Sequence, residues 1–237
     1  MHPDEPWLCV RLDATDVSTA TMSLRSIKAL LTEFGLTTDR VLLLLDLQGL
    51  HGADAQVVAA PVIRLLGMLE ADPWAAVVIG GYGVPEQLST AVAPNSQDYL
   101  PRIEQDVYFE VRTRVANQPL WFADYTILPP SVVELDWRLI GRVIAPKALY
   151  ALDNSWLVVR GGAFASHPKG YGQYHDIAGE IVALDEFSGP GFSPGDQYIA
   201  DRVAVTEKPG SPATWITACV SHHMSLTARA HAAASPS

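Results

Sequence analysis

Residues 160–176 read RGGAFASHPKGYGQYHD, and this stretch carries the densest set of groups able to grip an anion. Arg160, Lys169, Tyr171, Gln173, Tyr174 and His175 gather around glycines that let a backbone come close to a ligand. Residues 171–175 also enter an expected helix, and the free amides of a helix N-terminus favour negative charge. Lys147 lies on an expected strand just upstream, and cations on rigid strands can hold a phosphoryl or carboxylate group. The opposite pole is acidic. Asp13, Asp46 and Asp124 each stand at the end of an expected strand, and Tyr125 places a hydroxyl next to Asp124. In parallel α/β folds ligands bind at the C-terminal edge of the strands, where carboxylates hold Mg²⁺ or act as acids and bases. On this reading Asp46, Asp124 and His175 are catalytic. Asp13, Tyr125, Lys147, Arg160, Lys169, Tyr171, Gln173 and Tyr174 bind the ligand, and one pocket joins the two poles.

Each feature also has a structural explanation. A strand-end aspartate often caps the turn that follows, a glycine-rich turn often serves packing, and cations pair with surplus surface acids. GGYGVPEQL (80–88) lacks both the P-loop pattern and the dinucleotide fingerprint, so a simple βα loop is the expectation there. His222 and His223 are adjacent on an expected helix and point about 100° apart, a poor geometry for gripping one metal ion. One of the two is expected to be semi-buried and the other solvated. The chain has no HExxH, CxxC or GxSxG, which removes the usual support for a metalloprotease, a zinc ribbon or an α/β-hydrolase.

The elements that must position these groups follow from hydrophobic periodicity. WLCVRLD (7–13), VLLLLDL (41–47), AAVVIGG (75–81) and LWFADYTI (120–127) read as four buried strands. Between them lie amphipathic helices at about 18–34 and 55–70, and a longer one opened by Pro101. In the first of these Leu24, Ile27, Leu31 and Phe34 form the inward stripe, ended by Gly35. In the third, Glu104, Asp106, Glu110 and Arg114 are expected to face solvent. The strand ends recur at intervals of 33, 34 and 44 residues, the pitch of repeated βα units with parallel strands. After Asp124 the rhythm changes to a strand pair within 142–162, turning at Asp153–Asn154. Three helices follow: one at about 172–184, one from the cap Ser193-Pro194, and one from Ser211-Pro212. The expected architecture is an α/β fold of parallel βα units resembling a partial TIM-like barrel, with a late strand pair and C-terminal helices. One domain spans 1–229, with a flexible tail at 230–237. Four to six strands are too few to close an eight-stranded barrel, which leaves the first strand at an edge.

Composition bounds the rest. The 237 residues are 49% hydrophobic and 18% charged, enough to bury a real core. A net charge of −10 argues against generic nucleic-acid binding, which needs a basic surface. The longest apolar run is interrupted by Asp46 and too short for a membrane span. Cys9 and Cys219 lie far apart, which fits a reducing cytoplasm better than a disulfide framework.

FADYTILPP (122–130), WLVVRGG (156–162), KGYGQYHD (169–176), SPGDQYIAD (193–201) and TWITACVSHHMS (214–225) together resemble the beta protein family of bacteriophages and bacteria. The earlier LLTEFGL and VLLLLDLQ segments fit its middle region. The resemblance implies a phage–host setting and no settled activity. It also implies that full-length members carry a further N-terminal segment, so that this chain corresponds to their C-terminal two-thirds. On that expectation the edge strand bearing Cys9 is completed by a protein partner or a second copy.

Overall fold

The computed structural model describes residues 7–69, 72–115, 118–130 and 144–232. The chain forms two compact units. One comprises the residues through Gly83 together with Ile103–Tyr125; the other comprises Val84–Arg102 and the residues from Thr126 onward. The last residues of the expected tail, 233–237, and the start of the late strand pair, 142–143, lie outside the described residues.

In chain order the first half runs β1 (Leu8–Asp13), α1 (Ala14–Ser18), α2 (Ala20–Phe34), β2 (Val41–Gly49), α3 (Ala55–Leu69) and β3 (Ala76–Tyr82). β4 (Ser96–Pro101) belongs to the second unit, after which α4 (Ile103–Arg114) and β5 (Leu120–Asp124) complete the first. β1, β2, β3 and β5 form one parallel sheet in that order. Because the order never reverses, successive crossovers of one hand leave the helices on the same face. Val10, Leu12, Leu43, Leu45, Val77 and Ile79 meet Ile27, Leu31, Leu65, Leu66, Val107 and Val111 in a single core. Each such side chain contributes roughly 1.5–3 kcal/mol by burial. α2 ends at Gly35, whose left-handed φ of 62° turns its amide back onto the Leu31 and Thr32 carbonyls.

Strand alternation puts Cys9, Arg11, Leu42, Leu44, Val78 and Trp121 on the opposite face. Burial there is incomplete: Leu42, Leu44 and Val78 are half-buried and Trp121 is 57% exposed. VLLLLDL is therefore apolar on both faces but fully covered on one. Phe34, expected inward, is exposed where α2 runs past the core. Glu104, expected in solvent, is buried in the first turn of α4, where the helix dipole favours an acid. The segment before Pro101 forms β4, and the helix begins two residues later than the proline suggested.

The second unit holds an antiparallel sheet ordered β4, β7 (Ser155–Arg160), β6 (Lys147–Ala151), followed by α5 (Gln173–Val182), α6 (Pro194–Asp201) and α7 (Pro212–Ala232). Tyr174 stacks on Trp215 with ring centroids 4.7 Å apart, and both are buried. α6 and α7 approach so closely at Gly195 that a Cβ there would lie 2.0 Å from the Ala218 carbonyl oxygen. Both cysteines are free thiols; Cys9 is exposed, and burial raises the Cys219 thiol pKa to about 12. Among the described residues no helix is long and apolar enough to cross a membrane.

Candidate functional site

The first polar centre lies at the C-terminal edge of the parallel sheet. Asp46 ends the regular part of β2, in register with Asp13 on β1 and Gly80 on β3. Arg11 shares its sheet face and reaches it diagonally, with Nε 2.7 Å from the Asp46 Oδ2 and a terminal nitrogen at 2.6 Å. The Tyr125 hydroxyl donates to the same oxygen at 2.6 Å, and the Gln48 amide donates to Oδ1 at 3.1 Å. Gln48 reaches it from a left-handed backbone with φ of 57°. Burial opposes ionisation of Asp46. The hydrogen bonds from Tyr125, Arg11 and Gln48 outweigh that effect and hold its pKa below the ordinary carboxylate value. Burial, then the bond to Asp46, raises the Tyr125 phenol. Asp46 thus stays charged and Tyr125 stays protonated at neutral pH. This arrangement suits a fixed electrostatic anchor better than proton transfer.

The other two aspartates behave differently. Asp13 accepts from the Thr15 and Asp16 amides at 2.8 and 3.0 Å, and the Asp16 carboxylate returns a bond to the Asp13 amide. It is a reciprocal cap for α1. Asp124 pairs in register with Gly81, and the Tyr125 hydroxyl goes to Asp46 instead of standing beside Asp124. Among the described residues no group of three acids, histidines or cysteines comes together that could hold a metal ion. The glycines at and just past the end of β3 serve packing: a Cβ at Gly81 would meet Leu50 at 2.6 Å, and one at Gly83 would run into the Glu104 carboxylate. Arg11 was not anticipated, although its place between the inward Val10 and Leu12 marks it as the outward residue of β1.

The second centre lies within the second unit. Ser96, Arg160 and Lys147 occupy directly opposite positions on β4, β7 and β6, and so form one row on one sheet face. Arg160 donates to the Val92 carbonyl at 2.7 Å. Among the described residues neither Arg160 nor Lys147 has a carboxylate at ion-pair distance. The Lys147 side chain is exposed overall, yet lost hydration around its ammonium and the charge of Arg160 lower its pKa. A cavity of about 400 Å³ opens beside this row, lined by Arg160, Asn95, Ser96, His167, Gln173 and Glu180 among others.

Gln173 fixes the glycine loop of this cavity. Its Oε1 accepts the Gly162 amide at 2.8 Å, and its Nε2 donates to the Gly162 and Gly170 carbonyls at 3.1 and 2.9 Å. The buried amide thereby plays the part of a neighbouring strand. Gly161 is needed for the approach, because a Cβ there would lie 2.6 Å from the Gln173 Oε1. The remaining expected ligand groups are engaged elsewhere. Lys169 holds both Asp176 oxygens at 2.7 Å, and the His175 Nδ1 lies 2.7 Å from the Arg202 carbonyl. Tyr171 stacks on Phe164 at 4.2 Å, while Tyr174 belongs to the core.

A third cluster is structural. His222 and His223 are both buried, contrary to the expected split. His222 lies with Nδ1 3.0 Å from the Asp196 Oδ2 and Nε2 2.8 Å from the Ala151 carbonyl. Tyr150 and Ser193 also donate to Asp196, at 2.7 and 2.5 Å. Burial opposes the charge on Asp196, but the bonds from His222, Ser193 and Tyr150 prevail and lower its pKa. His223 packs against Trp156 at 4.7 Å.

Comparison with curated proteins and with solved structures finds no match for the chain. A family model described as Beta protein matches residues 2–229. That span includes Arg11, Asp46, Tyr125, Lys147, Arg160, Gln173, Asp196 and His222. The chain belongs to the Beta protein family.

Proposed function

We propose that the protein is an enzyme-like α/β protein of the cytoplasm that binds a phosphorylated or nucleotide-type ligand. The observation that carries the reading is the Lys147–Arg160 pair. Like charges on directly opposite strand positions disfavour the sheet locally, and this pair has no carboxylate partner among the described residues. An anion offsets that cost, and a phosphoryl group offers several oxygens to guanidinium and ammonium together. A cavity of about 400 Å³ falls within the range of roughly 300–1,000 Å³ usual for small-molecule sites. The sequential order β1-β2-β3-β5 supports reading the parallel sheet as an arc of a partial TIM-like barrel. In that arc the Arg11–Asp46–Tyr125 cluster marks the edge where such folds place chemistry.

The test is ligand-induced thermal stabilisation, with phosphate and nucleotides offered with and without Mg²⁺. Stabilisation is expected, and Arg160→Ala should weaken it roughly tenfold to a hundredfold in affinity, as for loss of a charged hydrogen bond. If no phosphorylated compound stabilises the parent protein, the reading fails.

A second reading is favoured by one observation, the incompletely covered face of the parallel sheet with Trp121 57% exposed. On this reading the protein is a non-catalytic interaction module in a phage–host defence or counter-defence system, and a partner or second copy covers that face and edge. Light scattering with Trp121→Ser separates the two. A defined oligomer lost in the variant favours this reading, and a monomer in both disfavours it.

A further inference from the structure

The Arg160 cavity carries opposite charges that do not neutralise each other. Glu180 lines the same cavity from the last turns of α5. Arg160 and Glu180 form no ion pair with one another, and Glu180 has no hydrogen-bond or ion-pair partner among the described residues. Its neighbour one turn earlier, Asp176, is already held by Lys169. Partial burial, then the Asp176 charge, raises the Glu180 pKa. Asn95, also in the lining, adopts a left-handed backbone with φ of 54°, a conformation that is uncommon outside glycine and concentrates at ligand sites.

We propose that this cavity takes a phosphomonoester with a hydroxyl-bearing body, a sugar phosphate or nucleoside monophosphate, seating the phosphate on Arg160, with Lys147 outside the lining but directly opposite Arg160 on the next strand, and a hydroxyl on Glu180. The proposal rests on the anion-binding reading above and adds an orientation and a specificity residue. A phosphomonoester is close to a dianion at neutral pH, which matches two adjacent cations better than a single carboxylate does. A free hydroxyl donates to a carboxylate without requiring a second charge, and removal of such a donor–acceptor pair is among the strongest means of discrimination. The volume of about 400 Å³ suits one such unit better than a dinucleotide.

The experiment is calorimetric titration of the full chain with ribose 5-phosphate, inorganic phosphate and free ribose. Ribose 5-phosphate is expected to bind about tenfold or more tightly than phosphate, with ribose alone not detected. Glu180→Ala, a change at an exposed side chain, is expected to abolish that advantage while leaving phosphate affinity within about twofold. Arg160→Ala is expected to abolish both. If Glu180→Ala binds ribose 5-phosphate as well as the parent does, the orientation is overturned while the anion site stands. If the parent binds neither phosphate nor the ester, both readings fall together.

Discussion

Replacing His222 by phenylalanine tests the account of the second unit most sharply. Asp196 and His222 are both fully buried, and the carboxylate is held by Tyr150, Ser193 and His222. Phenylalanine keeps an aromatic ring against Tyr150, whose centroid lies 3.8 Å from the imidazole, so packing changes little. What disappears is the contact of one ring nitrogen with the carboxylate and of the other with the Ala151 carbonyl. Taking one hydrogen bond from a buried ionised carboxylate that keeps its Tyr150 and Ser193 donors costs about 1.5–3 kcal/mol. At about 2–4 °C per kcal/mol for a chain of this size, the melting transition falls by roughly 3–12 °C. The sign of the pH dependence is fixed as well. In the parent the lowered Asp196 pKa gives stability that is present above the ordinary carboxylate value and is lost as pH falls through the folded value. In the variant the carboxylate has lost one of its partners, so protonating it costs less and acid relieves the loss. The gap between the two proteins should therefore be widest at neutral pH and close as the solution is acidified. Adding Asp196→Asn to the variant should recover more than about 1 kcal/mol, because the buried charge is then gone. Chemical denaturation read by tryptophan fluorescence measures all three proteins. A loss under about 1 kcal/mol, or a gap that does not change with pH, refutes the argument.

Lys147→Met should leave stability unchanged or raise it by about 0.2–1 kcal/mol, since it removes a like-charge contact with Arg160, while weakening phosphate binding in the same thermal assay. Gly195→Ala should destabilise by about 1–3 kcal/mol or more in denaturant titration, because the new methyl meets the Ala218 backbone, which cannot yield as a side chain can. Tyr125→Phe should cost about 1.5–3 kcal/mol at neutral pH by removing a donor from the ionised Asp46, and the loss should shrink as pH falls through the Asp46 titration. Gln173→Ala should speed amide hydrogen exchange at Gly162, whose N–H loses its acceptor, more than at Ile177 in the middle of α5.

Local rules carried much of the fold. The four parallel strands, α2 with its Gly35 stop, α3, and the helices beginning after Ser193 and Ser211 were all legible, because each rests on periodicity or on a cap within a few residues. β4 was not, since Ser96–Pro101 is largely polar, and only its pairing with β7 makes it a strand. At the candidate site Asp46 and Arg160 stood out by type and position. The pairings were not legible, because Arg11–Asp46, Tyr125–Asp46 and Asp196–His222 join residues 35, 79 and 26 positions apart. The hydrogen bonds of Gln173 were hidden for the same reason. An amide beside glycines suggests ligand contact, whereas folding directs it onto Gly162, a partner that only the loop geometry brings near.

The order in which the two units share the chain has a practical result. The polypeptide leaves the first unit after Gly83, supplies β4 to the second, and returns at Ile103 before leaving again after Tyr125. Neither unit is therefore a contiguous stretch, and no single cut yields either one intact. A fragment ending near residue 83 lacks α4 and β5, and one starting near residue 126 lacks β4. During synthesis the first unit cannot finish its sheet until β5 has left the ribosome, by which time β4 is already exposed and still awaits β7. Domain dissection of this protein calls for circular permutation or a short bridge across the excised segment, and limited proteolysis should release nicked but associated chains in place of free halves.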